Sequence, residues 1–238
     1  MGSFLNAVIY RLHAGVSFLR GRSYCPHCRH DLSARDLVPL FSFLFLRGRC
    51  RYCRKPISWQ YPLVELGTMA CFIILYWQFN LTPEFFVYLV YTVFLIIIFV
   101  FDWRYYLILD KVSLPAGAVA FLLSWLVLKI DILSLLLGAA VGALFFLLQF
   151  VVSRGKWIGG GDIRLGLVMG LMLGYPQIWV GLMIAYIIGS VFGIGLILTG
   201  RKGWKSQVPF GTFLSLATYL AFFISPTIVE YYLDLFTL

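Results

Sequence analysis

The chain has 238 residues, of which 61% are hydrophobic, 18% are aromatic and only 12% are charged. A soluble domain carries about a quarter charged residues, so this composition excludes an ordinary soluble globular protein. The long uncharged runs also lack the strict alternation of a membrane β-barrel. The sequence therefore predicts an all-α polytopic membrane protein that contacts the lipid bilayer over most of its length.

The net charge of +9 is unevenly distributed between the connections that join the apolar runs. Basic connections alternate with connections that hold few or no net positive charges. The basic ones contain residues 20–55, Arg104/Lys111, Arg154/Lys156/Arg164 and Arg201/Lys202/Lys205, and the others contain Glu84, Lys129/Asp131 and Glu230/Asp234. Lys and Arg mark cytoplasmic loops of membrane proteins, so the pattern favours a topology signal. No nucleic-acid partner is predicted.

The chain divides into three parts. Residues 1–19 begin with a short apolar patch that Arg11 and His13 interrupt, which predicts a membrane or interfacial segment and not a cleavable signal peptide. Residues 20–60 form a cytoplasmic insert rich in arginine. Residues 61–238 form the transmembrane domain.

Seven apolar segments in this last part approach or reach the length of about 20 residues that crosses a bilayer as a helix. Their approximate cores are 61–78, 84–101, 112–129, 132–152, 162–175, 177–199 and 210–225. The segment that begins at Asp162 is short for a full span. Small residues within 138–143 and 189–195 predict places where helices approach closely.

The insert contains two CxxC pairs, Cys25/Cys28 and Cys50/Cys53, with 21 residues between them. Four thiolates at this spacing are typical of a tetrahedral structural zinc site. Disulfides are the alternative, but cytosolic thiols stay reduced. Because sulfur fills all four positions, no position remains for a reacting water, and we predict a structural zinc ion.

Four acidic residues lie inside or at the edge of apolar segments, where an ionisable side chain is costly and often marks function. They are Glu65, Asp102, Asp110 and Asp162. Glu65 has an alternative role in the first turns of its helix, and Asp110 has one as a solvated or capping residue. With the basic loops in the cytosol, Asp102 ends one segment and Asp162 begins another at the same membrane face. This placement predicts that the two acids meet.

Asp162 follows three glycines, Gly159, Gly160 and Gly161. Asp is a preferred helix N-cap, so capping alone accounts for the acid but not for the glycines. Glycines permit positive φ and the close approach of another backbone, which predicts a loop that is open to an extended peptide. Two carboxylates that share one proton can hydrolyse an amide without a covalent intermediate.

Several motifs occur in an order that resembles one known family. They are GSFLNAVIYRL, GRSYCPHC, Asp36-Leu37-Val38-Pro39, GRCRYC, ISWQYPLVE, FDWRYYLILD and GGGDIRL. In this order they are similar to the motifs of bacterial prepilin peptidases (type IV leader peptidases), which are GxGD membrane aspartic proteases. The resemblance covers about residues 2–215.

The resemblance implies that Asp102 and Asp162 are the catalytic pair, with Gly159 and Gly161 as motif glycines at the substrate. It implies cleavage of the basic leader of type IV pilin-like precursors after a glycine, at the cytosolic face of the bacterial inner membrane. Relatives with the cysteine insert commonly also methylate the new N-terminus with S-adenosylmethionine, for which the sequence shows no assignable loop.

Two alternatives to the protease remain at this point. One is a proton- or cation-coupled transporter with a regulatory zinc module, which predicts acids near the middle of the spans. The other is a purely methylating enzyme in which the acids are structural.

Overall fold

The computed structural model describes residues 1–17, 21–200 and 208–236, and no β-strand occurs among them. These ranges contain two isolated β-bridges, and every other regular element in them is helical. The helices belong to two compact units, Met1–Trp77 and Gln78–Leu238. The prediction of an all-α fold is confirmed.

Within the described residues, the first unit contains the helices α1 (Gly2–His13) and α2 (Phe41–Phe45) and most of α3 (Gln60–Phe79). The helix α1 lies beside the first turns of α3. Asn6 Nδ2 donates to the carbonyl oxygen of Tyr61 at 3.0 Å, and a Cβ on Gly2 would lie 2.6 Å from the Cα atom of Glu65. Only a glycine therefore fits at this helix crossing.

In the part of the second unit that the structure describes there are six helices, α4 (Pro83–Tyr105), α5 (Asp110–Leu126), α6 (Ile132–Ser153), α7 (Gly160–Leu173), α8 (Gln177–Leu198) and α9 (Phe210–Phe236). All seven predicted segments are thus helical. Five of the described helices, α3, α4, α6, α8 and α9, are long and apolar enough to cross a membrane. The helices α5 and α7 have only 17 and 14 residues.

Local backbone geometry shortens these two helices. The chain leaves α5 before Lys129, which has a left-handed φ of 57°, and Asp131 then caps α6 by accepting two backbone N–H groups. The helix α7 ends at Leu173 because Gly174 has a φ of 74°, a conformation that glycine adopts at little cost.

Glycines bring α6 and α7 into close contact. Two glycines on each helix, spaced four residues apart, form the crossing: Gly138 and Gly142 on α6, and Gly166 and Gly170 on α7. A Cβ on Gly138 would lie 2.7 Å from the carbonyl oxygen of Gly170, so larger residues would force the helices apart. The prediction of close approach is confirmed for 138–143, but it is wrong for Gly193 and Gly195, which have open space beside them.

A buried polar network joins α4, α5 and α7. Tyr91 Oη and Ser124 Oγ are 2.7 Å apart, and Ser124 Oγ donates to the carbonyl oxygen of Leu171 at 2.9 Å. Asp102 lies 11 residues after Tyr91 and Asp162 lies 9 residues before Leu171, which correspond to about 16 Å and about 14 Å along a helix. The network therefore holds the two acidic ends at nearly the same level.

Candidate active site

Asp102 lies in the last turn of α4 and is held by the start of α9. Its side chain is buried, and the residue is only 5% exposed. The Oδ2 atom accepts the backbone N–H of Thr212 at 2.8 Å and the Thr212 hydroxyl at 3.2 Å. Thr212 is the third residue of α9, where backbone N–H groups have no partner within the helix. The N-terminus of α9 therefore orients this carboxylate.

Asp162 is held in a similar way by its own helix. It is the third residue of α7 and is 7% exposed, and its Oδ2 atom accepts the N–H of Gly159 at 2.9 Å. Gly159, and not Asp162, is the N-cap residue. The carboxylate thus supports the helix start by reaching back to the cap, as a third-position acid does in a capping box.

The buried side chain of Ile108 joins the two acidic regions. A Cβ on Gly161 would lie 2.9 Å from Ile108 Cβ, and a Cβ on Gly211 would lie 2.8 Å from Ile108 Cδ1 and 3.1 Å from Asp102 Oδ2. Ile108 therefore packs against the glycine that precedes Asp162 and against the glycine beside Asp102.

The three glycines before Asp162 differ from the sequence-based expectation. None of them has a positive φ, and Gly159 has an extended backbone with a φ of −85°. The close approach occurs only at Gly161, and it is made by the Ile108 side chain and not by a second backbone. Gly160 has no neighbouring atom within 4 Å of its Cβ position, so the loop is open at this point.

The other two acidic candidates are engaged elsewhere. Asp110 begins α5 and forms an ion pair with Arg164 on α7, with both side chains about half exposed. Glu65, in the first unit, accepts the backbone N–H of Leu40 at 2.8 Å. These contacts give Asp110 and Glu65 structural roles.

The four predicted metal ligands form one cluster. The Sγ atoms of Cys25, Cys28, Cys50 and Cys53 all lie within 4.8 Å of one another, and those of Cys25 and Cys53 are 3.9 Å apart. Sulfur atoms in a tetrahedral zinc site are about 3.8 Å apart, given a Zn–S bond of about 2.3 Å. None of these four cysteines forms a disulfide bond. The cluster can therefore hold a metal ion.

Both CxxC pairs use the same backbone turn. The N–H of Cys25 donates to the carbonyl oxygen of His30, and the N–H of Cys50 donates to that of Lys55. Arg29 and Arg54, each directly after the second cysteine of its pair, adopt left-handed φ angles of 57° and 59°. The two halves of the site are thus built alike.

Asp36 connects the cluster to the rest of the insert, a role that the sequence analysis did not assign. Its carboxylate accepts hydrogen bonds from Arg51 Nε at 2.7 Å, Tyr52 Oη at 3.1 Å and both the N–H and hydroxyl of Ser33. Burial alone raises the pKa of Asp36, but these hydrogen bonds outweigh it and lower the pKa to about 2.

Thr212, Gly211 and Ile108 were also missed at the sequence level. A weak signal exists for the first two, because Pro209 and Gly211 stand at the entrance of an apolar helix. Ile108 has no signal, since it is one apolar residue in a short loop.

Comparison with known proteins gives matches over both units. Residues 1–79 match the model of the bacterial peptidase A24 N-terminal domain, and residues 89–198 match that of the type IV leader peptidase family. Proteins called prepilin leader peptidase/N-methyltransferase are similar to this chain over nearly its whole length. The relative from Bacillus subtilis is 33% identical over 99% of this chain and 94% of its own, and that from Aeromonas hydrophila is 30% identical over 99% and 91%. No solved structure matches the chain.

Proposed function

Because the chain belongs to the type IV leader peptidase family, we propose that it hydrolyses prepilin-like precursors with Asp102 and Asp162 as its catalytic pair. The observation that carries the proposal is the placement of these two buried acids. They come from helices far apart in sequence and lie at nearly the same level, and Ile108 packs against the glycine beside each of them. Buried acids at such a position cost free energy, and they commonly mark a functional site.

The reaction uses the pair as one acid and one base. Two close carboxylates share a single proton, so one is ionised while the other is protonated. The ionised acid takes a proton from water as the water oxygen attacks the scissile carbonyl carbon, and the protonated acid donates to the carbonyl oxygen. Collapse of the tetrahedral intermediate breaks the C–N bond, and a carboxyl proton passes to the leaving amine.

The surrounding residues keep the pair in position. Thr212 and Gly159 bind the Oδ2 atoms of the two acids, which we propose leaves the Oδ1 atoms for water and substrate. The open side of the loop at Gly159 and Gly160 offers room for an extended peptide. Gly161 serves the substrate site indirectly, because its missing side chain makes room for Ile108.

The substrate and orientation follow from the family and from the charge pattern. We propose that cleavage removes a basic leader after a glycine at the cytosolic side of the bacterial inner membrane. In this topology all seven segments from α3 to α9 cross or line the membrane, and the cysteine insert lies in the cytosol. The sequence divisions 1–19, 20–60 and 61–238 describe these parts.

The cysteine cluster is proposed to hold structural zinc. Its sulfur-to-sulfur distances suit a four-thiolate zinc site, and burial of Cys25 and Cys50 to 5% exposure suits a folding role. Zinc bound there would fix the two CxxC turns against each other.

Methyl transfer to the new N-terminus is proposed on the name of the relatives alone. Among the described residues of the first unit, Asn6 Oδ1 is the buried side-chain atom without a hydrogen-bond partner. One such acceptor does not build a site for a ligand as large as S-adenosylmethionine. The mass of the processed N-terminus, measured with and without that compound, tests the activity.

The protease proposal is tested with Asp102→Asn and Asp162→Asn, each assayed for processing of a co-expressed pilin-like precursor. Each variant is expected to accumulate uncleaved precursor. Glu84→Gln is the matched control, because Glu84 is at the opposite end of the helix that carries Asp102. Processing at the wild-type rate by either aspartate variant would favour the transporter or the purely methylating enzyme.

A further inference from the structure

The short helix α2 presents an apolar side to solvent. Phe41, Leu44 and Phe45 are 62%, 69% and 83% exposed. Their spacing of three and four residues places them on one side of the helix, which we call the apolar face of α2. Three adjacent large apolar side chains at this exposure are costly in water and indicate a surface that is covered in the working protein.

Two contacts fix α2 beside the start of α3. The N–H of Leu40, directly before α2, donates to Glu65 Oε2 at 2.8 Å. On the side of α2 away from this apolar face, Phe43 contacts Trp59, with the two ring centroids 5.1 Å apart. Glu65 is five residues beyond the first residue of α3, which is about 8 Å along the helix axis. The short helix is therefore held at the level where α3 enters the membrane.

The residues around α2 are strongly basic. Residues 21–60 contain eight Lys or Arg and two Asp, which gives this segment a net charge of +6. Arg47 and Arg49 lie two and four residues after the end of α2, and both are exposed. Trp59, which is 70% exposed, adds an aromatic ring of the kind enriched at membrane–water interfaces. An apolar face flanked by arginine matches a surface of acyl chains and phosphates.

We propose that the apolar face of α2 inserts into the headgroup–acyl boundary of an acidic phospholipid leaflet, where Arg47 and Arg49 bind lipid phosphates. Interfacial helices combine an apolar face with basic residues in this way. The bilayer is favoured over a protein partner because α2 is fixed at the entry level of a membrane-spanning helix. This inference rests on α3 crossing the bilayer, and it does not depend on the acid pair.

The contact implies a role for lipid in placing the insert. The Cys50/Cys53 pair of the four-cysteine cluster follows α2 after four residues, so anchoring α2 fixes the cluster relative to the membrane surface. Acidic headgroups then attract the arginines, while the acyl chains bury the apolar face. The electrostatic attraction to the arginines weakens as the salt concentration increases.

The test places a photocrosslinker in the full-length protein, reconstituted in nanodiscs of equimolar phosphatidylcholine and phosphatidylglycerol. Phe45→p-benzoylphenylalanine and, separately, Phe41→p-benzoylphenylalanine are irradiated, and the adducts are identified by mass. We expect adducts with lipid acyl chains. His27→p-benzoylphenylalanine, an exposed ring between two of the cysteines, is the control and should give little lipid adduct. Metal content confirms that each labelled insert is folded.

A second comparison tests the acidic lipid. The lipid adduct at position 45 should be lost or strongly reduced in nanodiscs of phosphatidylcholine alone, and also after Arg47→Gln with Arg49→Gln. Equal adduct yields in both kinds of nanodisc would overturn the acidic-lipid assignment. Adducts with a second copy of the chain, or no lipid adduct at positions 41 and 45, would overturn the proposal. Failure here leaves precursor cleavage intact, which separates it from failure of the proposed protease.

Discussion

Gly211→Ala is expected to damage catalysis more than folding. Gly211 is the second residue of α9, where alanine is compatible with the helix. The added methyl group would lie 2.8 Å from Ile108 Cδ1, 3.1 Å from Asp102 Oδ2 and 3.2 Å from Asp102 Cγ. Ordinary carbon contacts begin at about 3.5 Å, so the carboxylate or the new methyl must move by a few tenths of an ångström.

The size of the effect follows from this displacement. Overpacking at a buried site costs about 1–3 kcal/mol of stability, and the flexible end of Ile108 can absorb part of it. A misplacement of about 1 Å at a reacting group lowers rates about 100-fold, so a shift of a few tenths, combined with strain on the Thr212 hydrogen bonds, should lower cleavage about 10-fold or more.

The assay is single-turnover cleavage of a purified precursor by purified enzyme, with the unfolding midpoint measured in parallel. Gly193→Ala is the matched control, since its Cβ position has no neighbouring atom within 4 Å. The control should cleave like the wild type. If Gly211→Ala also cleaves within about twofold of the wild type, the packing of α9 against Asp102 does not position the carboxylate, and the reasoning is refuted.

Three further predictions concern the metal cluster, the insert and the helix crossing. Cys25→Ser with Cys50→Ser should remove one equivalent of zinc, whereas Cys71→Ser should retain it; unchanged metal content would exclude the four-thiolate site. Asp36→Asn should destabilise the insert by about 1–2 kcal/mol at neutral pH, allowing for solvent screening at half-exposed Arg51. The folded-state pKa of about 2 lies below the ordinary value of 3.8, so this stabilisation is complete above that value and is lost as the pH falls through about 2. The penalty should therefore stay constant between about pH 5 and pH 8 in denaturant titrations, and a pH-dependent penalty would contradict the assignment. Gly142→Val should lower the yield of folded protein, because α6 and α7 contact at that position, whereas Gly195→Val should not; equal yields would count against the glycine crossing.

The sequence predicted the helices well because their signal is long and continuous. Each apolar segment after residue 60 became a helix, since uncharged runs of this length leave the backbone no better way to satisfy its hydrogen bonds in lipid. Helix ends were less predictable. The ends of α5 and α7 depend on the backbone conformations of Lys129 and Gly174, and hydropathy does not report these conformations.

The sequence predicted the site residues whose side chains are costly to bury in an apolar segment. It did not predict the residues that act through packing or through contacts between distant parts of the chain. A buried carboxylate or a pair of CxxC motifs stands out against an apolar background, which is why Asp102, Asp162 and the cysteines were selected. Thr212 binds Asp102 from 110 residues away, and no local pattern gives that distance. The glycines before Asp162 were interpreted as backbone freedom, but at Gly161 the structure shows that the missing side chain makes room for Ile108.

The central claim is that Asp102 and Asp162 act as one unit, and the cleavage rates of the two single variants and the double variant test it most directly. Purified Asp102→Asn, Asp162→Asn and the combined protein are compared with the wild type on the same precursor, with an equal unfolding midpoint as the folding control. When two groups act as one unit, removing either of them removes nearly all of the activity that the pair provides. Each single variant should therefore be as inactive as the double variant. Losses that multiply in the double variant, or a single variant that cleaves like the wild type, would contradict the account.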